Sequence, residues 1–145
     1  MSTKFITLKL GIKKNTIDGL LIHIPVGSNT AMIATKNKFA ASPVVVSREN
    51  IKSGIIKYIF INSGNANACT GKEGHKNTER ILDTLSEKLN CSSDQILIMS
   101  TGIIGRQLPI KKIIKSITDS DLNIYTNIKK AASAIMTTDK FPKYL

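Results

Sequence analysis

Two short stretches carry the residue types best suited to chemistry. The first is "MSTGIIGRQLP", running from Met99 to Pro109. An apolar run, "ILIMS", empties into Thr101 and Gly102, and Pro109 suits the first turn of a following helix. A Thr hydroxyl beside a bare Gly N–H gives two donors aimed at one point. That is the minimum needed to hold the oxyanion that develops in acyl transfer. The same residues also read as an ordinary strand-to-helix turn, with Gly present for steric reasons. The second stretch is "NSGNANACTG", Asn62 to Gly71. Here bulk gives way to small and amide side chains. Asn62, Asn65 and Asn67 offer fixed donors and acceptors, and Gly64 lets another backbone come close. Asx turns explain one or two of these residues. The length of the run points to a loop that lines or closely packs a site, with Asn62, Ser63, Gly64, Asn65 and Asn67 as candidates.

Other reactive side chains are less suggestive. His23 lies on an apolar run with nothing paired to it in sequence, and His75 opens a polar helix. Asp139, beside Thr138, reads as a residue that bonds its local backbone. Cys69 and Cys91 lack a CxxC or His-rich neighbourhood, so no metal site is expected and both thiols read as free.

These stretches need strands and helices to hold them. Residues 1 to 62 read as strands. "KFITLKLGIKK" alternates in part, and "GLLIHI" (Gly19 to Ile24) is a compact apolar run. "TAMIAT" (Thr30 to Thr35), "SPVVVSR" (Ser42 to Arg48) and "IIKYIFIN" (Ile55 to Asn62) read as further strands, separated by turn residues. From Gly74 the period changes. "HKNTERILDTLSEKLN" places Ile81, Leu82, Leu85 and Leu89 on one helical face. "DQILIMS" (Asp94 to Ser100) is another strand. "LPIKKIIKSI" forms a helix with an Ile110, Ile113, Ile114 and Ile117 stripe opposite lysines. A third helix, capped by Ser120 or Asp121, would turn Leu122, Tyr125, Ile128, Ala132 and Ile135 inward. The expected fold is α/β or α+β, layered, in a single domain over residues 1–145.

Composition narrows the classes. Hydrophobic residues make up 41% and aromatics 5% of the 145, enough for an aliphatic core and too apolar for disorder. Net charge is +11, which raises nucleic acid or an anionic membrane as partners. The lysines are scattered, however, with only the pairs Lys13-Lys14, Lys111-Lys112 and Lys129-Lys130. No aromatic-basic interleaving accompanies them. With 23 Ile, 18 Lys and 11 Asn against 3 Arg, the charge also follows A/T-rich codon usage. A solvated Lys-rich surface is expected, with no nucleic-acid partner. No apolar run reaches membrane-spanning length, and the N-terminal residues resemble neither a secretory signal nor a transit peptide. The expected location is a reducing cytoplasm.

Three motifs in order, "NSGNANACTG", "STGIIG..LP" and "AIMTTDKFPK", resemble the ornithine acetyltransferase family, the bifunctional glutamate N-acetyltransferases of arginine biosynthesis. "GIKK" near the start and "TKNKFAASPVVVSREN" fit the same family. The resemblance covers nearly the whole chain. It implies a ping-pong transfer of acetyl from N-acetylornithine to glutamate through an acetyl-threonine ester. Acetyl-CoA is a possible further donor, and no cofactor is implied. Position by position, the family's oxyanion pair falls on Thr101 and Gly102 and its substrate-contacting threonine on Thr137. The Asn-rich loop would line or buttress the site. The family precursor cleaves itself before a threonine, which becomes the nucleophile at the start of a β chain. That segment follows the family's equivalent of "FPKYL", so the implied partner is a β chain, in an αβ heterotetramer. The fold is expected to be incomplete, and this chain inactive, without that partner. The alternatives are a truncated remnant or a basic, non-catalytic binding module.

Overall fold

Alternation along the strands decides how the layers form. In the computed structural model, which describes residues 2–144, β1 (Lys4–Leu8), β2 (Gly19–His23), β3 (Tyr58–Asn65) and β4 (Ile96–Ile103) make one sheet in the order β1-β2-β3-β4. The first three run antiparallel, and β3 and β4 are parallel. Ile6, Leu8, Leu21, Phe60, Ile96 and Ile98 point to one face and form the main core. Phe5, Leu20, Ile22 and Ile61 point to the other. The period of two puts alternate residues on opposite faces, so each strand serves two layers. The result is an α+β fold with helices on both sides of a mixed sheet.

Helix α2 (Gly71–Leu89) crosses the main face and buries Ile81, Leu82 and Leu85, as its spacing predicts. Asn90, in left-handed backbone (φ 50°), ends it. Helix α3 (Ile110–Asp119) packs beside it, with Ile113 and Ile117 fully buried and Lys111, Lys112 and Lys115 in solvent. Burial of each such isoleucine stabilises by about 1.5–3 kcal/mol. Helix α4 (Ile128–Ala134) covers the second face through Ala131 and Ala134.

Three expectations fail in instructive ways. Ser42–Asn50, expected to be a strand for its three valines, is helix α1. Pro43 sits in its first turn, where a missing N–H costs nothing. The helix lies along the free edge of β4. There Ser47 Oγ donates to the Ile98 carbonyl (2.7 Å) and accepts from the Ile98 N–H (2.8 Å), while Asn50 Nδ2 donates to the Ile96 carbonyl (2.8 Å). Closing a sheet edge in this way outweighs a weak strand propensity. Thr30–Thr35 has no ladder partner and is not a strand, and Ile33 in it is fully exposed. The third helix starts later than expected. Asn127 caps it, accepting from the Lys130 N–H at 2.9 Å, while Thr126 makes a lone bridge to Phe5. Leu122 is buried, but Tyr125 and Ile128 are largely exposed, and Ala131 takes the inward position expected of Ala132.

Candidate functional site

The parallel pair β3–β4 brings both chemically suggestive stretches to one end of the sheet. The register sets Asn62 beside Ser100, Ser63 beside Thr101 and Gly64 beside Gly102. Ligands of open sheets with parallel strands gather outside carboxyl ends of this kind.

The amides of the Asn-rich run are engaged inside the protein. Asn62 Oδ1 accepts from Ser100 Oγ (2.5 Å), and its Nδ2 donates to the Asn65 carbonyl (2.8 Å). Asn65 Nδ2 donates to the Arg106 carbonyl (3.0 Å), and its Oδ1 accepts from the Asn67 N–H (2.8 Å). Asn67 Nδ2 donates to the Gly74 carbonyl (3.0 Å) and to Thr78 Oγ1 (2.8 Å), and its Oδ1 accepts from Thr70 Oγ1 (2.8 Å). All three asparagines are buried. They tie the end of β3 to the start of α2 and to the loop after β4. Asparagine suits the task because one short side chain both donates and accepts, and because it tolerates the left-handed backbone found at Asn67 (φ 45°).

Gly64 and Gly102 meet each other. A Cβ on Gly102 would lie 2.3 Å from the Gly64 carbonyl carbon and 2.5 Å from the Asn65 nitrogen. Both glycines have positive φ, 97° and 134°. Close contact of two backbones therefore explains why position 102 has no side chain. A Cβ on Gly64 would in turn strike the stem of Lys13, 2.7 Å from its Cγ.

Ser63 is buried and its Oγ donates to the carbonyl of Ala134, the last residue of α4, at 2.6 Å. Thr101 shares its register position and so points to the same face of the sheet. Thr101 is half-buried, and its hydroxyl makes no hydrogen bond among the described residues. Thr137 is exposed, three residues beyond the carbonyl that Ser63 holds. The bond from Ser63 thus anchors the end of α4, three residues before Thr137, to β3, the strand that pairs with β4. Beyond Thr137, Lys143 donates to Asp139 Oδ1 (2.8 Å) and holds that carboxyl below the usual range. The face of β4 beside Thr101 lies open, with Met99, Ile103 and Ile104 each at least 40% exposed.

Sequence reasoning missed two residues that shape this region, Asp18 and Lys13. Asp18 is fully buried, and its carboxylate accepts from the N–H groups of Leu10, Ile12 and Lys13 at 2.6–2.8 Å. A lone Asp preceding an apolar strand was the only available signal. His23 stacks on Tyr58 (centroids 5.0 Å apart) at the opposite end of the sheet, lining a cavity of about 410 Å³ remote from Thr101. Burial, with lesser contributions from Cys91 and Tyr125, pushes the Tyr58 hydroxyl up. His75 lies near Ser42 (3.3 Å) and Glu79 (3.5 Å). The Ser42 hydroxyl proton is directed to Thr78, so the trio holds no ready nucleophile. Among the described residues no group of three or more His, Cys, Asp or Glu side chains is placed to hold a metal. No described helix is long and apolar enough to cross a membrane.

A model of the ArgJ family matches residues 4–145. The chain belongs to the ArgJ family. Arginine biosynthesis bifunctional protein ArgJ 2 of Clostridium acetobutylicum is 47% identical over 133 residues, covering 90% of this chain and 34% of that protein. The mitochondrial ArgJ of Dictyostelium discoideum is 45% identical over 141 residues, 94% of this chain and 32% of its own length. The chain thus spans about a third of the length of these curated relatives. Among solved structures, argJ of Bacillus halodurans superposes with a TM-score of 0.86 at 29% identity, covering 95% of this chain and 73% of that one. Ornithine acetyltransferase of Mycobacterium tuberculosis, crystallised with ornithine, gives 0.85 at 27% identity, covering 95% and 77%. ArgJ proteins are acetyltransferases of arginine biosynthesis, and the α+β fold described above is theirs.

Proposed function

We propose that this chain is the α-chain part of a glutamate N-acetyltransferase and supplies the oxyanion-binding half of its site. Thr101 Oγ1 and the Gly102 N–H hold the acetyl oxygen, and Thr137 contacts substrate. The observation that carries this reading is Thr101 itself. Among the described residues its hydroxyl has no partner, at the carboxyl end of a strand, on the face where Ser63 holds the end of α4 three residues before Thr137. The edge of β4 supports the second donor. Ile96 and Ile98 turn main-chain groups toward α1, and by the alternation of the ladder those of Ser100 and Gly102 also face away from β3.

The reaction then runs in two steps. A threonine hydroxyl of a second, β chain attacks the acetyl carbonyl of N2-acetylornithine, and the carbonyl oxygen takes up negative charge. Two fixed donors favour that charge over the neutral ground state, each contributing on the order of a hundredfold in rate. Collapse breaks the C–N bond, the amine leaves with a proton, and acetyl-threonine remains. The amine of glutamate attacks the ester, and N-acetylglutamate departs as the threonine is restored. Acetyl-CoA would enter at the first step as an alternative donor.

Asn62, Asn65 and Asn67 buttress the donors without touching substrate, and Gly64 admits the close approach of β4. Met99, Ile103 and Ile104, exposed beside Thr101, form an apolar strip of the kind that a partner covers. In this reading the β chain lies there, in an αβ heterotetramer within the cytoplasm, and the α-chain part alone transfers nothing.

The test is to assemble the chain with a family β chain and supply N-acetylornithine carrying labelled acetyl. Mass mapping should find the label on a β-chain threonine, and the 145-residue chain by itself should take up none. Label on a residue of this chain would sink the assignment.

A further inference from the structure

Five residues from three separate parts of the sequence close a ring of hydrogen bonds behind the candidate site. The Asp18 carboxylate accepts from the Lys13 N–H at 2.8 Å. Lys13 Nζ reaches across Gly64 and donates to the Met136 carbonyl at 3.0 Å. Two residues back along the chain, the Ala134 carbonyl accepts from Ser63 Oγ at 2.6 Å. The Ser63 N–H donates to the Asp18 carbonyl at 2.9 Å and closes the circuit. The ring thus joins the β1–β2 loop, the end of β3 and the segment after α4.

We infer that Lys13 is a positioning residue for the acetyl-transfer site. Its ammonium fixes the Met136–Thr137 segment at the height of Thr101, and Asp18 fixes Lys13. The inference rests on the reading of Thr137 as a substrate contact, and it adds a residue to which that reading assigns no role.

The physical argument concerns what holds Thr137. The residue is exposed, follows the end of a seven-residue helix and has irregular backbone. Helices this short have little stability of their own and depend on tertiary anchors. Among the described residues, Ser63 and Lys13 provide the two long-range side-chain anchors on the stretch from Ala134 to Thr137. Ser63 acts at the helix end, whereas Lys13 acts on the carbonyl next to Thr137. A bond from an ammonium is stronger than one between neutral groups. The stem is held as well as the head. The absence of a side chain at Gly64 leaves the trough in which it lies, and three N–H bonds to Asp18 fix the backbone from which it starts. A lysine free in solvent would lose much of this benefit to side-chain entropy.

If the lysine holds Thr137 in its competent position, releasing it divides the population of that position. The apparent substrate affinity falls by the same factor, while turnover once bound is little changed. Lys13→Met keeps the stem over Gly64 and removes the donor. In the enzyme assembled with its β chain, this variant should raise KM for N-acetylornithine about tenfold and change kcat by less than about threefold. Lys13→Arg, which restores a charged donor, should recover most of the loss. Hydrogen exchange of the Met136 amide, which donates to the Ser133 carbonyl, measured on the chain and on the assembled enzyme, should speed up about tenfold in Lys13→Met, with exchange in β3 and β4 unchanged.

Unchanged exchange at Met136 in Lys13→Met would overturn the inference, whatever the kinetics. So would an unchanged KM in an enzyme that Thr101→Ala impairs. If Thr101→Ala has no effect, the oxyanion reading fails, and exchange alone still decides what Lys13 holds. Should Lys13→Met fail to fold, Lys13→Gln, which keeps a weaker donor, should show the same KM shift at smaller size. Wild-type KM and exchange in that variant would overturn the inference.

Discussion

Replacing Gly102 by alanine puts a methyl carbon 2.3 Å from the Gly64 carbonyl carbon, 2.5 Å from the Asn65 nitrogen and 2.8 Å from Gly64 Cα. All three neighbours are backbone, so no side chain can swing aside. The residue also has φ of 134°, where an L side chain is disfavoured. A forced backbone conformation costs about 1–3 kcal/mol. Overpacking costs about 1–3 kcal/mol more. Gly102→Ala should therefore destabilise by about 2–6 kcal/mol, a large part of a typical domain's total of about 5–15 kcal/mol. Thr101→Ala, one position away, removes a hydroxyl that bonds to none of the described residues and should change stability by less than about 1 kcal/mol. Urea unfolding followed by far-UV circular dichroism suits a chain without Trp, and equal slopes would show that the two variants unfold from comparable states. If Gly102→Ala lies within about 1 kcal/mol of wild type, β3 and β4 do not meet as described, and the steric argument fails. The contrast also matters for mechanism. Lost activity in Gly102→Ala would report damaged strands, whereas Thr101→Ala tests a donor.

Two further outcomes follow from the packing and the charges. Ile113→Asp places an unpaired carboxylate at a fully buried position of α3 and should cost about 3–5 kcal/mol or abolish folding; a neutral effect in the same unfolding assay would show that α3 is not packed on the core. Asp139 is bonded to Lys143, so its side-chain carboxyl should titrate by NMR below the ordinary carboxylate range and move back up in Lys143→Met. Because the folded value is the lower one, whatever stability this pair adds is present above the ordinary range and disappears as pH falls through the folded value. Both side chains are exposed, so the stability change should be small, and an unshifted titration would show that the pair is not formed.

What the sequence shows and what it hides divides by range. Helices α2 and α3 are legible because their apolar stripes are local and regular. Strands β3 and β4 are legible as apolar runs, but their ends are not: they continue through Asn65 and Ile103, three residues past Asn62 and Ser100, because the parallel ladder pairs Ser63, Gly64 and Asn65 with Thr101, Gly102 and Ile103. Helix α1 is not, since Val44, Val45 and Val46 favour strands, and its reason for being helical is a set of side-chain bonds to β4 some 46 to 51 residues away. Pro43 in its first turn was the available hint. The asparagines are conspicuous in sequence, but only the structure shows that their amides face inward. Lys13 and Asp18 look like ordinary loop residues, because the ammonium of Lys13 meets its acceptor 123 positions along the chain. Long-range hydrogen bonding leaves no periodic mark.

The central claim is that the Thr101 hydroxyl stabilises the charge that develops on the acetyl oxygen. Steady-state acetyl transfer from N-acetylornithine to glutamate, measured on the enzyme assembled with its β chain, tests it directly by comparing wild type, Thr101→Ser and Thr101→Ala. Thr101→Ser keeps the donor and should retain most of the rate. Thr101→Ala should lower kcat by about 10²–10³, the usual effect of losing one oxyanion donor, with folding intact. Equal rates in wild type and Thr101→Ala would remove Thr101 from the mechanism.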